Sequence, residues 1–441
     1  MTRPLTLPGA LRGTPFDFSA NGELCCEGKP LSAIAKDFGT PTYVYSQRAI
    51  AQAYQDFANA TQNRRVQICY ALKANPNIAI VGLLATLGAG FDIVSAGELQ
   101  RVLAAGGRAE HIVFSGVGKT REDIERALQA HVKCINVESE AELHRISEVA
   151  QACGRQAPVS LRVNPNIDAK THPYISTGLK ENKFGVPIED ALRLYRLAAG
   201  LPGIEVCGLD CHIGSQITEL QPFLDALDAV LVLTEQLHAA GISIEHLDLG
   251  GGLGICYDQE TPPSPQAFME RVFARLDQWS ADTGRPLPEI LFEFGRAIVG
   301  NAGLLLSSVE LLKPGPFKNF AVIDAAMNDL MRPSLYDAWH NVVPVVPQSA
   351  SPLRWDLVGP VCESGDWIAK DRMLALAPGQ ILAILSAGAY GMSMSSNYNS
   401  RPRAAEVLVD TDGRPHLIRR RESFNDLIAQ ERIPSHLRPS V

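Results

Sequence analysis

The sequence predicts an α/β protein: a (β/α)8 TIM-like barrel followed by a mostly antiparallel β-domain. From about residue 66 to residue 300, short apolar runs alternate with amphipathic stretches, which is typical of parallel strands connected by helices. The apolar runs number eight, which is the number of strands that closes such a barrel. After residue 300 the helical periodicity fades, and short β-rich runs separated by Pro and Gly predict antiparallel strands.

The eight predicted barrel strands are short apolar runs: VQICYAL (66–72), FDIVS (91–95), HIVFS (111–115), CINVE (134–138), VSLRVN (159–164), EVCGLDCH (205–212), EHLDLG (245–250) and EILFEF (289–294). Seven amphipathic stretches separate them. The stretch 222–237 shows the helical period most clearly, because one stripe collects Phe223, Leu227, Val230, Leu231, Thr234 and Leu237. An open doubly wound sheet is the structural alternative, but its GxGxxG phosphate motif does not follow the first strand.

Three segments follow from this pattern. Residues 1–40, with an Asn-Gly turn and one short helix, precede the barrel and are expected to pack with the C-terminal β-domain. The barrel is predicted to span 41–300, and the β-domain 301–441. The β-rich runs of that last segment are LLLSSVELL, NFAVIDA, RWDLVG, QILAIL, AAEVLV and HLIRR.

The composition excludes several classes of function. Acidic side chains number 48 against 40 basic ones, and the net charge of -8 argues against a nucleic-acid partner or an anionic membrane surface. There is no uninterrupted run of about 18 apolar residues, so we expect no membrane span. The nine cysteines lack zinc-ligand spacing. We therefore predict reduced thiols, a cytoplasmic location and no metal site.

Chemistry-bearing side chains follow several of these strands, where the active sites of such barrels lie. Lys73 comes directly after the first strand. An exposed lysine is usually only solvated, but in a partly desolvated mouth its pKa falls and the neutral amine can form a Schiff base. His212 ends the sixth strand, just before Gly214 and Ser215. A lone histidine is more often a core residue, but the position of His212 at a strand end, before a tight turn, makes it a candidate site residue.

Two further motifs complete the set. Gly250 to Gly252 follow the seventh strand, where consecutive glycines let backbone N–H groups converge on an anion. Glu293 ends the eighth strand, and its partner is either Arg296 or a protonated ring nitrogen. An amine, a histidine, a phosphate cradle and a carboxylate at one end of a barrel are what pyridoxal 5'-phosphate requires.

The chain resembles a known family in motifs spread over nearly its whole length: YALKAN (70–75), HIGSQ (212–216), GGGLG (250–254), CESGD (362–366) and GAYGMSMSSNYNSRPR (388–403). These motifs are similar to those of the fold-type III pyridoxal-phosphate decarboxylases. CESGD together with RPSLYDAWH (332–340) resembles more specifically the diaminopimelate decarboxylases. In one departure, the family's usual Glu-Pro-Gly-Arg reads Glu293-Phe294-Gly295-Arg296 here.

The resemblance implies decarboxylation of meso-2,6-diaminopimelate to L-lysine and CO2, by a homodimer whose active sites are shared between subunits. By position it implies cofactor contacts from Lys73, Asp92, His212, Ser215, Gly251, Gly252, Glu293, Gly295, Arg296 and Tyr390. It implies substrate contacts from Arg296, Arg332, Tyr336, Glu363 and Tyr390. The catalytic residues would be Lys73, His212 and Cys362. Cys362 would act in the neighbouring subunit's site as a proton donor, because an unperturbed thiol has a pKa of about 8.5.

Three rival readings remain open from the sequence. The first is a relative on the same fold, either alanine-racemase-like or a decarboxylase of lysine, arginine or ornithine. The second is a non-catalytic carrier of vitamin B6, against which the long β-domain argues. The third is a barrel that binds a phosphorylated metabolite and no pyridoxal.

Overall fold

The computed structural model describes residues 7–62, 64–168, 177–178 and 182–437. The chain divides into two compact units. The barrel unit is Arg48–Ala302, and the β unit combines the chain up to Gln47 with the chain from Gly303 onward. The β unit thus takes in Thr42–Ser46, beyond the boundary expected at residue 40, because this fully buried strand pairs with two strands of the C-terminal segment.

The N-terminal part of the β unit contains short elements: α1 Leu7–Ala10, β1 Asp17–Phe18, β2 Leu24–Cys26, β3 Lys29–Pro30, α2 Leu31–Phe38 and β4 Thr42–Ser46. β1, β2 and β3 form a small antiparallel sheet. Helix α2 buries one side through Leu31, Ile34 and Ala35, and it ends at Gly39, whose positive φ of 72° suits glycine. Helix α3, Gln47–Ala60, then leads into the barrel unit.

The barrel unit contains nine strands among its described residues: β5 Val66–Ala71, β6 Gly90–Ile93, β7 Ile112–Phe114, β8 Cys134–Val137, β9 Ala157–Asn164, β10 Val186–Pro187, β11 Ile204–Asp210, β12 His246–Asp248 and β13 Glu289–Phe294. All of their pairings are parallel, and β13 pairs with β5 while β8 pairs with β9, which closes an eight-stranded barrel. Among the described strands, the two-residue β10 pairs with β9 alone. The predicted fold class is confirmed.

In the part of the barrel unit that the structure describes, seven α-helices lie between the strands as expected: α4 Ile78–Thr86, α5 Ala96–Ala104, α6 Arg121–Ala130, α7 Glu140–Cys153, α8 Ile188–Gly200, α9 Gln221–Ala239 and α10 Pro265–Thr283. Five of them, all except α8 and α9, begin at a residue whose side chain caps the helix: Ser139, for example, accepts from the backbone N–H of Glu142 at the start of α7. The predicted stripe of α9 is buried along its length. The helices therefore cover the barrel with apolar faces, which leaves the strand ends to carry polar side chains.

The barrel unit ends with the short helix α11, Arg296–Val299. The β unit is completed by β14 Gly303–Lys313, β15 Phe320–Ile323, α12 Arg332–Tyr336, β16 Val342–Pro344, β17 Leu353–Val358, β18 Trp367–Leu374, β19 Ile381–Ile384, β20 Ala405–Val409, β21 Pro415–Arg419 and α13 Phe424–Ile428. The large sheet runs β18-β17-β15-β14-β4-β20-β21, with β19 and β16 branching from β14. Only β15–β17 and β4–β20 are parallel among the described pairings, so the sheet is mostly antiparallel, as predicted.

Apolar side chains from both chain segments form one core in the β unit. Val44 of β4 packs in the same cluster as Leu304, Val343 and Val407. This shared core explains why the two distant segments of chain fold as one body. Within the described residues, no helix combines the length and apolar character needed to cross a membrane.

Candidate active site

Lys73 has a buried ionic partner at the mouth of the barrel. It lies two residues beyond β5, on a single turn of 3-10 helix. Its Nζ is 2.5 Å from Oδ2 of Asp92 on the neighbouring strand β6. The Asp92 side chain is fully buried, whereas 37% of the Lys73 side chain is exposed. The amine is therefore held in place by a carboxylate while one side of it remains accessible to a small molecule.

Three more carboxyl groups meet at the same end of the barrel. Carboxyl oxygens of Asp210 on β11, Asp248 on β12 and Glu293 on β13 lie within 4.8 Å of one another, and all three residues are buried. Burial raises the pKa of each well above its ordinary value, and the neighbouring acids add to that increase. The buried cluster therefore retains protons at a pH where isolated carboxyl groups are ionised.

A chain of hydrogen bonds fixes the side chain of Glu293. Ser115 Oγ donates to Glu293 Oε1 at 3.3 Å. The amide of Asn136 donates to Ser115 Oγ at 3.1 Å, and Ser160 Oγ donates to Asn136 Oδ1 at 2.5 Å. The strand-end carboxyl is thus oriented by polar side chains from three successive barrel strands.

Phe294, which stands where the family usually has proline, is a core residue. It is 1% exposed, and its ring stacks on Phe57 of α3 with centroids 4.0 Å apart. Phe268 and Phe292 pack against it at 5.8 and 5.5 Å. These aromatic contacts anchor the backbone between Glu293 and Gly295, where a proline would restrict φ instead.

His212 is held as a neutral imidazole. The backbone N–H of Gly251 donates to His212 Nδ1 at 3.0 Å, so this nitrogen carries a lone pair. Burial lowers the pKa of His212 well below its usual range, and the positive charges of Arg162 and Lys73 lower it further. One N–H of the triglycine segment therefore positions the histidine, in addition to the anion-binding role that the sequence predicts for this loop.

The triglycine segment has no room for side chains. A Cβ on Gly251 would lie 1.8 Å from the carbonyl oxygen of Glu293, and one on Gly252 would lie 2.1 Å from that of Gly214. Nearby, the Arg296 guanidinium donates to Ser215 Oγ at 2.9 Å and to Tyr257 Oη at 2.7 Å. Glycine loop, hydroxyls and a buried guanidinium together form an environment suited to an anion such as phosphate.

The predicted substrate residues of the β unit differ in exposure. Arg332 begins helix α12 and is 5% exposed, while Tyr336 ends that helix and is partly buried. Tyr390 is also partly buried and has a positive φ of 55°. In contrast, Cys362 and Glu363 are both exposed, and the Tyr398 hydroxyl donates to Glu363 at 3.3 Å.

Sequence reasoning missed several buried ionisable side chains at the barrel mouth, three of which lie on barrel strands. These are Arg162 on β9, and Asp210 and Asp248, which each end a strand. Arg162 bonds Glu138 at 3.1 Å and lies 3.9 Å from Asp210. A signal was present, because each is a charged residue in an otherwise apolar strand, and such residues are rarely buried without a partner or a function.

Comparison with known proteins decides the family. A sequence profile described as "Pyridoxal-dependent decarboxylase, pyridoxal binding domain" matches residues 47–300. Diaminopimelate decarboxylase of Pseudomonas aeruginosa is 57% identical over 411 residues, which are 93% of this chain and 97% of that protein.

This chain belongs to the diaminopimelate decarboxylase family. The Vibrio cholerae member is 52% identical over 418 residues, 95% of this chain and 99% of that protein. Among solved structures, a diaminopimelate decarboxylase from M. jannaschii in co-complex with L-lysine superposes with a TM-score of 0.91 at 37% identity, covering 96% of this chain and 99% of the other. The predicted family, the decarboxylase class and the pyridoxal 5'-phosphate cofactor are thereby confirmed.

The residues of this family member fit the coenzyme. An accessible amine at Lys73 suits its aldehyde, and the buried, proton-retaining Glu293 suits its ring nitrogen. The Cβ-free glycine segment and Arg296 suit its phosphate. Each element of the barrel mouth therefore matches one part of the coenzyme, which supports the cofactor contacts that the resemblance implied.

Proposed function

We propose that this protein decarboxylates meso-2,6-diaminopimelate to L-lysine and CO2, with pyridoxal 5'-phosphate held at Lys73. The observation that carries the proposal is the Lys73–Asp92 pair, which sits at the same barrel end as the buried acids around Glu293. Family membership at 57% identity supports the choice of substrate. The bound coenzyme would supply an electron-accepting ring and a reactive aldehyde.

The barrel residues orient the reaction and hold protons. Asp92 would hold the Lys73 amine at one position beside the coenzyme's aldehyde. Glu293 would hold a proton at the ring nitrogen, helped by the Ser115 hydroxyl and by the burial that raises its pKa. His212, neutral and fixed by Gly251, would lie against the ring face without adding a charge there.

Substrate choice would depend on the two charges at its far end. Arg332 suits a distal carboxylate, which a guanidinium binds through two hydrogen bonds. Glu363 would accept the distal ammonium group. Decarboxylases of lysine or ornithine have no distal carboxylate to bind, so an arginine at this position favours diaminopimelate.

Cys362 would deliver the proton that replaces CO2 on the α-carbon. Its thiol is exposed, and its backbone N–H is held by Asn399 Oδ1 at 2.8 Å. This exposure supports a role in the active site of a second copy, so we propose a homodimer with shared sites. The nine free thiols support a reducing, cytoplasmic location.

The first experiment tests the activity. The purified protein is incubated with meso-diaminopimelate, lysine, arginine or ornithine, and CO2 release and amine products are measured together with the coenzyme absorbance. We expect CO2 and L-lysine from diaminopimelate alone. Amine products from the other amino acids would contradict the proposed specificity, and a protein without coenzyme absorbance would contradict the proposed site.

The second experiment tests the shared site. Lys73→Ala and Cys362→Ala are each expected to be inactive as homodimers. After subunit exchange, the hybrid dimer contains one intact site, so a random mixture should recover about a quarter of the wild-type activity. Recovery of no activity would show that Cys362 acts within its own subunit or not at all.

A further inference from the structure

His340 has a tautomer that its neighbours dictate. The ring is fully buried, and its Nδ1 lies 2.8 Å from the carbonyl oxygen of Leu385. A carbonyl only accepts, so Nδ1 must carry the proton. On the other side, Nε2 lies 2.8 Å from Nη1 of Arg332, and a guanidinium only donates. His340 is therefore neutral, and its Nε2 lone pair accepts from Arg332.

The backbone around His340 is held equally firmly. Arg372 donates to the His340 carbonyl oxygen at 3.1 Å, and its guanidinium stacks over the Trp339 ring at 3.1 Å. The backbone N–H of Leu385 donates to Asn341 at 2.8 Å, which continues the pairing of β16 with β19. His340 itself precedes β16, and these hydrogen bonds fix its backbone beside the β16–β19 pair, so the imidazole can hold a fixed orientation.

His340 connects two segments that the sequence singles out separately. One is helix α12, which begins with Arg332, and the other is the chain after β19, which reaches Tyr390 five residues beyond Leu385. A protonated His340 would place a third positive charge beside Arg332 and Arg372, so the neutral ring is also the electrostatically favoured form.

We propose that His340 is the positioning residue that aims Arg332 and so sets the preference for a ligand with a distal carboxylate. This inference rests on the proposed role of Arg332. Because the guanidinium is planar, fixing one of its N–H groups fixes the direction of the others. A side chain that fills the space of His340 without accepting from Arg332 should leave the positive charge of Arg332 in place, but the guanidinium would lose its fixed orientation.

Two variants separate this role from simple packing. His340→Gln places a side-chain oxygen near the Nε2 position, where it can still accept from Arg332. His340→Asn is too short to reach Arg332, but its amide can still donate to the Leu385 carbonyl. Both are polar and similar in volume, so each serves as the control for the other, and His340→Leu replaces the Asn variant if that one does not fold.

The readout is binding by the coenzyme-loaded enzyme, measured calorimetrically with L-lysine and with cadaverine, which differ only in the carboxylate. We expect His340→Gln to keep the wild-type ratio of the two Kd values within about threefold. We expect His340→Asn to reduce the preference for L-lysine about ten- to a hundredfold, the usual effect of losing a hydrogen bond to a charged group.

Arg332→Met separates the two proposals. If it removes the preference while His340→Asn and His340→Gln behave alike, the positioning role is overturned and the role of Arg332 stands. If Arg332→Met keeps the full preference, the proposed carboxylate site itself fails, and the positioning role fails with it. Loss of preference in Arg332→Met and His340→Asn, with retention in His340→Gln, supports both.

Discussion

The strand-end acids of the barrel unit and the Cys362–Glu363 pair of the β unit lie in opposite environments. In the barrel unit, Asp92, Asp210, Asp248 and Glu293 are buried together, and burial raises the pKa of the last three. In the β unit, Cys362 and Glu363 are exposed.

The difference lies in the cost of each arrangement to the stability of the fold. Burying several acids together is costly, and such a cluster persists because arginine, lysine and hydroxyl groups surround it and because protons are retained. An exposed thiol costs the fold nothing, but it has ordinary chemistry until another surface covers it. The barrel unit therefore contains a preorganised cluster, and under the proposed homodimer the exposed Cys362 and Glu363 would gain their role on assembly.

Removal of the barrel amine should have the largest effect. Lys73→Ala is expected to lower CO2 release about ten-thousandfold or more, because the covalent attachment point is lost. Borohydride reduction of the wild type should label the peptide that contains Lys73, and mass spectrometry checks this. A label on another lysine would place the coenzyme site elsewhere and would contradict the role given to the barrel unit.

Removal of the exposed thiol should separate binding from chemistry. Cys362→Ala is expected to retain the coenzyme absorbance while kcat falls about a hundred- to ten-thousandfold, the range for a lost proton donor. The matched control is Cys153→Ala, which removes a partly buried thiol of helix α7 that has no proposed role and should leave the enzyme active. Full activity of Cys362→Ala would remove it from the mechanism.

Removal of the buried arginine of the β unit should act on the substrate alone. Arg332→Ala is expected to lower kcat/KM for diaminopimelate about a hundredfold, because a charge-assisted double hydrogen bond is lost. Coenzyme content, read from absorbance, should not change. A nearly unchanged kcat/KM would exclude Arg332 from the substrate site.

The smallest expected effect is on how the thermal stability of the protein changes with pH. The folded pKa of Glu293 is raised above its unfolded value of about 4.3, so the folded state binds more protons and loses stability as pH rises through the raised pKa. In coenzyme-free protein, Glu293→Gln should therefore weaken the fall in Tm between pH 5 and pH 8, by about 2–4 °C at the upper end.

Asp426 provides the matched control in the β unit. It is partly buried at the surface, and its hydrogen bonds from Arg420 and Ser423 hold its pKa below the usual range. A depressed pKa contributes stability above the unfolded pKa of about 3.9 and loses it only as pH falls. Asp426→Asn should thus shift Tm equally across pH 5 to 8. An equal shift in Glu293→Gln would contradict the buried-acid account.

Much of the barrel was readable from the chain because its elements are locally encoded. Apolar runs such as 289–294 and caps such as Ser139 act through neighbours in sequence, so their positions could be predicted. The strand ends then placed Lys73, His212 and Glu293 at one end of the fold. The aromatic packing of Phe294 against Phe57 could not be predicted, because the partners are more than two hundred residues apart.

The sequence by itself determined the eight-strand alternation, the coenzyme-binding residue types and, through its motifs, the family. Tertiary structure decided which charges share a dielectric environment and which partner fixes each tautomer. The pairing of Arg332 with His340 and the cluster of Asp210 with Asp248 depend on the folded arrangement of separate elements. Electrostatic interactions act through space over a few ångströms, and no spacing along a chain records that distance.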